Sequence, residues 1–406
     1  MSKWELKKIE DFGNVYGGGT PSTKDDSLWN GDIPWISPKD LSGYEFKYIS
    51  NGERFITKEG LEKSSTRLLP KNTILFTSRA PIGYVAIAEN PICTNQGFQS
   101  VVCKDGISEP EFIYYLLKNN VHIFYNNASG ATFPEISNKK VKQIELLLPP
   151  FSTQKRIASI LSTYDDLIEN NLKRIKLLEE TAQNIYKEWF VNFRFPNYEN
   201  TPFNEETGLP VGWEVMKADR IYDINIGKTP PRGETQWFSK EIGIKWVSIA
   251  DMNKSSVFLN NTNEKITSDG VDKFNMRKTT LGAVLLSFKL TVGAVLIANE
   301  EVVTNEAIAH FNLKKETILT TEYTYLYLKN FHYPSLGSTS SIGTSINSKI
   351  VKNMDIIIPS EEILINFKKG VDNIFKQIEN LNHITIKLKE ARDILLPRLM
   401  NRTIEV

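Results

Sequence analysis

The chain has 406 residues, 40% of them hydrophobic and 24% charged, which suits two or three soluble domains, each with its own core. Its net charge is only +1 at pH 7, which excludes a uniformly basic polyanion binder and confines any nucleic-acid surface to a local patch. Two cysteines without metal-ligand spacing, no signal peptide at the start and no apolar run of membrane length predict a cytoplasmic protein with buried free thiols and no membrane partner.

Residues 1–150 read as short β-branched or aromatic strands (KNTILFTS, GYVAIAE, QSVVCK) broken by Gly, Pro and Asn. EPEFIYYLLKNNVHIFY predicts one helix opening near Pro110, and KQIELLLPP a final strand stopped by two prolines. From 151 to 195 the period changes. Ile157, Leu161, Tyr164, Ile168, Asn171, Ile175, Leu178, Ala182, Ile185 and Trp189 follow alternating spacings of four and three, a heptad seam. Residues 196–212 are rich in Pro, Asn and Gly and read as a linker. Residues 213–360 repeat the first plan, with GAVLLSF, AVLIANE, TEYTYLYLKNF and NMDIIIPS. Residues 361–406 carry a second seam at Phe367, Val371, Ile374, Ile378, Leu381, Thr385, Leu388, Arg392, Leu395 and Leu399, in the same spacing.

The two halves are copies. Trp4-Glu5 matches Trp213-Glu214; Gly18, Thr20 and Pro21 match Gly227, Thr229 and Pro230; Trp35, Ser37 and Asp40 match Trp246, Ser248 and Asp251. Farther on, Thr57 and Gly60 match Thr267 and Gly270, Thr94-Asn95 matches Thr304-Asn305, and Ile168-Glu169-Asn170 matches Ile378-Glu379-Asn380. The offset stays between 209 and 211, so the repeat is a whole domain plus its connector rather than a solenoid unit. The expected fold is α+β: two tandem, similar mixed domains, each followed by a long helix, with the two helices paired as an antiparallel coiled coil. A helix hairpin buried against one domain is the alternative, but the many charges on the outer faces fit an exposed rod better. Polar residues within the seams would fix register.

Catalytic strings fail on inspection. Gly227-Lys228-Thr229 lacks the earlier glycine of a phosphate loop, because Tyr222 stands there, and prolines follow it. Leu148-Pro149-Pro150-Phe151 lacks the side-chain carbonyl an amino-methylase needs, and Asp11-Phe12-Gly13 lacks every other kinase element. The four histidines are scattered and not shared between copies. The chain is therefore expected to hold no catalytic centre, metal or cofactor of its own.

What remains suits a reader of duplex DNA. Basic and amide side chains fall at turns: Lys39, Arg79 and Gln96 in the first copy, Lys289 and Asn305 in the second. Arg and Lys complement guanine, Asn and Gln adenine. Two Ser/Thr/Gly/Lys-rich segments add candidate phosphate contacts: Thr132, Ser137 and Lys139 in one, Ser345, Asn347 and Lys349 in the other. The tryptophans and the Gly-x-Thr-Pro turns read as core anchors and turn formers.

The ordered set of Gly-x-Thr-Pro, IPWIS, TSRAPIG, TNQGF, LPPFSTQKRIASIL, KEWFVNFRFP, GLPVGWE and LLPRLMNRTI resembles the specificity (S) subunits of type I restriction–modification systems, over nearly the whole chain. The second copy departs at Phe288-Lys289-Leu290 and at Glu306-Ala307. The resemblance implies that each globular copy is a target recognition domain for one half of a bipartite DNA site, with the coiled coil as spacer. It also implies two methyltransferase (M) subunits carrying S-adenosylmethionine and acting on flipped adenines, and restriction (R) subunits using ATP and Mg. Two rivals are a methyltransferase with a fused recognition domain and a duplicated adaptor that binds proteins only.

Overall fold

A computed structural model describes residues 4–130, 132–289, 291–336, 339–340, 343–344 and 346–406. The chain divides into two compact units, Met1–Asn170 with Lys387–Val406, and Asn171–Ile386. The division falls inside both long helices, Phe151–Tyr186 and Glu361–Met400.

In the first unit a five-stranded sheet has the order Gly13–Gly17, Gln99–Cys103, Ile74–Ser78, Ile82–Ala88, Tyr48–Ile49, antiparallel except at the last pair. A smaller sheet sets Trp29–Ile36 between Arg54–Ile56 and Cys93–Thr94. The domain's first strand, Glu5–Lys8, pairs antiparallel with its last, Glu145–Leu148. The predicted single helix is two, Pro110–Asn119 and Val121–Asn126. Asn120 divides them: its side chain donates to Leu116 O at 2.8 Å, satisfying a carbonyl at the end of the first helix. Cys93 is buried and Cys103 partly so, and burial pushes their thiols up to about 11 and about 12, so both are protonated at neutral pH.

The second unit repeats this construction. Its main sheet runs Tyr222–Ile226, Ile308–Leu313, Val284–Ser287, Val295–Ile297, and its smaller sheet holds Phe238–Ser239, Glu264–Ile266, Ile244–Val247 and Val303–Thr304. Glu214–Lys217 pairs with Asp355–Ile358, again first strand with last. Asn330 ends the helix Thr321–Asn330 as Asn120 does, donating to Leu326 O at 2.8 Å. The segment predicted as a linker is not a free tether. Asn204 N–H donates to Leu209 O, Val211 N–H donates to Pro202 O, and Leu209 and Trp213 are buried. Three phenylalanines, Phe190, Phe193 and Phe195, surround the Trp213 ring.

Every predicted seam position is buried or half-buried. Within the first unit, Ile157, Ala158 and Leu161 share a cluster with Leu396, Leu399 and Met400. Arg392, read as a polar seam residue, donates to Asp165 at 2.6 Å with both side chains nearly buried, and Asp165 also accepts from Tyr115 Oη–H at 2.5 Å. Within the second unit, Ile175, Ala182 and Tyr186 cluster with Phe367, Val371, Phe375, Ile378 and Leu381. Phe367 meets Tyr186, Trp189, Phe190 and Tyr323 at ring-centroid distances from 4.8 to 6.4 Å. Asp165, Tyr186, Phe190 and Phe375 lie outside the heptad positions, because a straight helix of 3.6 residues per turn presents a broader stripe than a strict seam.

Candidate nucleic-acid interface

In each copy one tight turn organises the loops that carry the predicted contacts. In the first it is Asn95–Gly97. Asn95 N–H donates to Ile36 O at 2.9 Å, and Asn95 Oδ1 accepts from Gly97 N–H at 2.8 Å, closing the turn on itself. Ser78 N–H donates to Gly97 O at 2.7 Å, and Gly19 N–H donates to Thr94 O at 2.9 Å. Trp35 Nε1–H reaches Gly19 O at 2.9 Å. A Cβ at Gly18 would lie 2.0 Å from Asn95 O, so only glycine lets that loop approach.

The second copy repeats these bonds atom for atom. Asn305 N–H donates to Val247 O at 3.1 Å, Phe288 N–H to Ala307 O at 2.9 Å and Lys228 N–H to Thr304 O at 2.9 Å. Trp246 Nε1–H donates to Lys228 O, and Asn305 Oδ1 accepts from Ala307 N–H, both at 3.1 Å. A Cβ at Gly227 would lie 2.2 Å from Asn305 O. The matched Ser-x-x-Asp is a capping box in both copies. Asp40 accepts from Ser37 N–H at 2.7 Å, and Asp251 from Ser248 N–H at 2.9 Å. Each aspartate's other oxygen accepts from a distant backbone N–H, Glu53 or Asn263.

The candidates of the first copy gather around this frame. Gln96 is exposed in the turn itself. Lys39 follows Pro38, whose ring packs at Gly97; its ammonium pairs with Glu53 at 2.8 Å. Arg79 follows Ser78 and pairs with Glu135 at 3.3 Å. Ser129 and Glu135 exchange two backbone hydrogen bonds of 2.9 Å, and Ile136 N–H donates to Ser78 O at 3.1 Å. These bonds fasten the loop bearing Thr132 beside Arg79, with Phe133 84% exposed at its tip. Ser137 is engaged as the N-cap of Asn138–Gln143, accepting from Lys140 N–H, while Lys139 is exposed.

In the second copy Lys289 is exposed, its ammonium 5.4 Å from the centre of the Phe288 ring. Asn305 is spent on closing its own turn, as Asn95 is; the residue in the place of Gln96 is Glu306. Asn347 caps Ser348–Lys352, accepting from Ile350 N–H at 3.0 Å, and Lys349 is exposed. Ser345 lies outside the described residues.

Four further side chains, Thr20, Thr229, Arg54 and Arg232, join the frames. The Thr20 hydroxyl donates to Gln96 Oε1, and the Thr229 hydroxyl to Glu306 Oε2. The Arg54 guanidinium stacks 3.4 Å over the Trp29 ring, and Arg232 lies 4.6 Å from the Trp246 ring centre. The threonine recurs in both Gly-x-Thr-Pro turns, a signal visible in the sequence. The arginines carry none, since their tryptophans are remote in sequence.

The protein class is thus a duplicated recognition scaffold: two frames with the same backbone bonds and different exposed side chains, each domain followed by a long helix. Comparison with known proteins identifies the family. The type I restriction modification DNA specificity domain matches residues 1–180 and again 210–392, and the chain belongs to that family. Its members are the non-catalytic DNA-recognition subunits of their enzymes. The chain is 37% identical to the type I restriction enzyme MjaIX specificity subunit of Methanocaldococcus jannaschii, over 98% of this chain and 92% of that one. It is 25% identical to the HindI specificity subunit of Haemophilus influenzae, over 84% and 88% of the two chains. The crystal structure of a type I restriction–modification S subunit from M. genitalium shares the fold, with TM-score 0.59 at 14% identity over 98% of this chain and 96% of that one.

Proposed function

We propose that each domain reads one half of an asymmetric, bipartite duplex site, using the loops around Asn95–Gly97 and Asn305–Ala307. The observation that carries this reading is the pair of equivalent hydrogen-bonded frames with unlike exposed residues, Gln96 against Glu306 and Arg79 against Lys289. A protein that had to grip two different sequences in one manner needs that combination. Gln96 and Arg79, with Lys289, supply base-edge contacts. Lys39, Thr132, Lys139 and Lys349 supply phosphate contacts; Ser137 and Asn347 set the loops that hold them. Arg79 reaches guanine by exchanging its exposed Glu135 partner.

In this reading residues 1–150 and 213–360 are the recognition domains, 196–212 joins the halves, and 151–195 with 361–406 pair as an antiparallel coiled coil. That pairing is supported by Asp165 meeting Arg392 in one unit and Tyr186 meeting Phe367 in the other, low numbers on one helix against high numbers on the second. A seam of about 33 residues spans roughly 50 Å and sets the separation of the half-sites. Two M subunits bind the duplicated chain and carry S-adenosylmethionine; R subunits bring ATP-dependent cleavage with Mg. The chain contributes the address, in the cytoplasm, without a cofactor of its own.

Sequencing of modified bases in cells with and without the chain tests this. A bipartite adenine-methylation motif that disappears with the chain is expected; an unchanged methylome overturns the assignment. Deleting one heptad from each long helix should shorten the accepted spacer and leave both half-sites intact.

A further inference from the structure

Gln96 and Glu306 occupy one position in two equivalent frames. Each follows an asparagine that closes the turn, each is exposed, and each is held by the hydroxyl of the Gly-x-Thr-Pro threonine. Because backbone and tether are shared, the two turns differ in what their side chains offer to a ligand. With Thr20 on Oε1, Gln96 keeps its Nε2–H donors and one further lone pair, an edge that both donates and accepts. With Thr229 on Oε2, Glu306 offers only acceptors. The Thr229 hydrogen bond, together with the nearby Lys289 and Arg232 charges, holds the Glu306 carboxyl below its ordinary range, so it is ionised at neutral pH.

In the major groove adenine presents a donor beside an acceptor, N6 and N7, which an amide matches in bidentate fashion. Cytosine presents the N4 donor, which a carboxylate accepts. Guanine N7 and O6 and thymine O4 are acceptors and repel it. Residues identical in both copies, such as Thr20 and Thr229 or Asn95 and Asn305, cannot distinguish two half-sites; Gln96 and Glu306 can.

We propose that Gln96 and Glu306 are equivalent specificity-determining residues, Glu306 selecting cytosine in one half-site where Gln96 selects adenine in the other. This rests on the DNA-reading assignment above.

The test is selection from a randomised duplex library by the full chain assembled with its methyltransferase subunits. Glu306→Gln keeps an acceptor for Thr229 and should change the preferred base at one position of one half-site from cytosine to adenine, by roughly tenfold or more. Gln96→Glu should make the reverse change in the other half-site. Uniformly weaker binding with base preferences intact would make the residue a clamp for the Gly-x-Thr-Pro loop and overturn the proposal, as would an unaltered motif. The underlying reading fails separately, when the unmodified chain enriches no bipartite sequence at all.

Discussion

The two units solve one packing problem with opposite chemistries. In the first, the long-helix segments meet at a nearly buried ion pair, Asp165 with Arg392, backed by the Tyr115 hydroxyl. A second charged cluster, Lys47 with Glu111 and Asp166, ties the domain to the helix Phe151–Tyr186. In the second, the equivalent helix segments meet around Phe367 and four other rings, with Phe375 against Phe258 and Tyr325 farther along. The duplication has kept backbone hydrogen bonds and exchanged side-chain chemistry. Aromatic packing supplies area without demanding a particular alignment of charges; an ion pair demands alignment and contributes less net stability.

Removing the aromatic hub should do the most damage. Phe367→Ala empties a fully buried site and is expected to cost about 4 kcal/mol, read as a shift in the denaturant midpoint of the unit that contains it. Asp165→Ala leaves the Arg392 guanidinium paired with the exposed Asp393 and should cost about 3 kcal/mol. The double replacement Asp165→Leu with Arg392→Met should recover most of that; recovery of nothing would show that Tyr115 carries the loss.

Acid sharpens the contrast between the copies. His310 is buried beside Thr304, its Nε2 2.6 Å from the hydroxyl, and desolvation lowers its pKa to about 4. Its counterpart in the first copy is Ser100, which does not titrate. Unfolded histidine takes its proton near 6.5, so between about pH 6.5 and 4 the unfolded chain binds more protons than the folded one. The second unit should therefore be fully stable above pH 6.5, lose about 3 kcal/mol as the pH falls to about 4, and lose this slope in His310→Gln. Equal slopes in both units would remove His310 from the account.

The capping boxes should give matched, smaller losses. Ser37→Ala and Ser248→Ala are each expected to cost about 1 kcal/mol in thermal melts. The smallest effect belongs to Lys39→Ala, which should leave stability unchanged and reduce the salt dependence of DNA binding by about one unit of slope if Lys39 meets a phosphate.

Much of this was legible in the chain. Ser37 and Asp40 recur three residues apart in both copies because a cap is a local device, and local spacing survives in a sequence. The heptad positions were legible for the same reason. Asp165 meeting Arg392 was not, since nothing near Arg392 names its partner; the heptad spacing marks it only as a polar seam position. Asn305 shows another limit. Residue type alone made it a base reader, but its side-chain oxygen closes the turn, and the exposed position passes to Glu306. The helix break at Asn120 was hidden because its flanking apolar residues suit an unbroken helix, and only the side-chain bond to Leu116 O reveals the stop.

Each domain begins and finishes on one two-stranded ribbon, Glu5–Lys8 with Glu145–Leu148 in the first and Glu214–Lys217 with Asp355–Ile358 in the second. The polypeptide therefore comes in and goes out at neighbouring points, the geometry in which a whole folded segment is tolerated as an insertion. Exchange of the segment between the ribbon strands would leave the helix that follows in place, so the loops around the tight turn can change without rebuilding that helix.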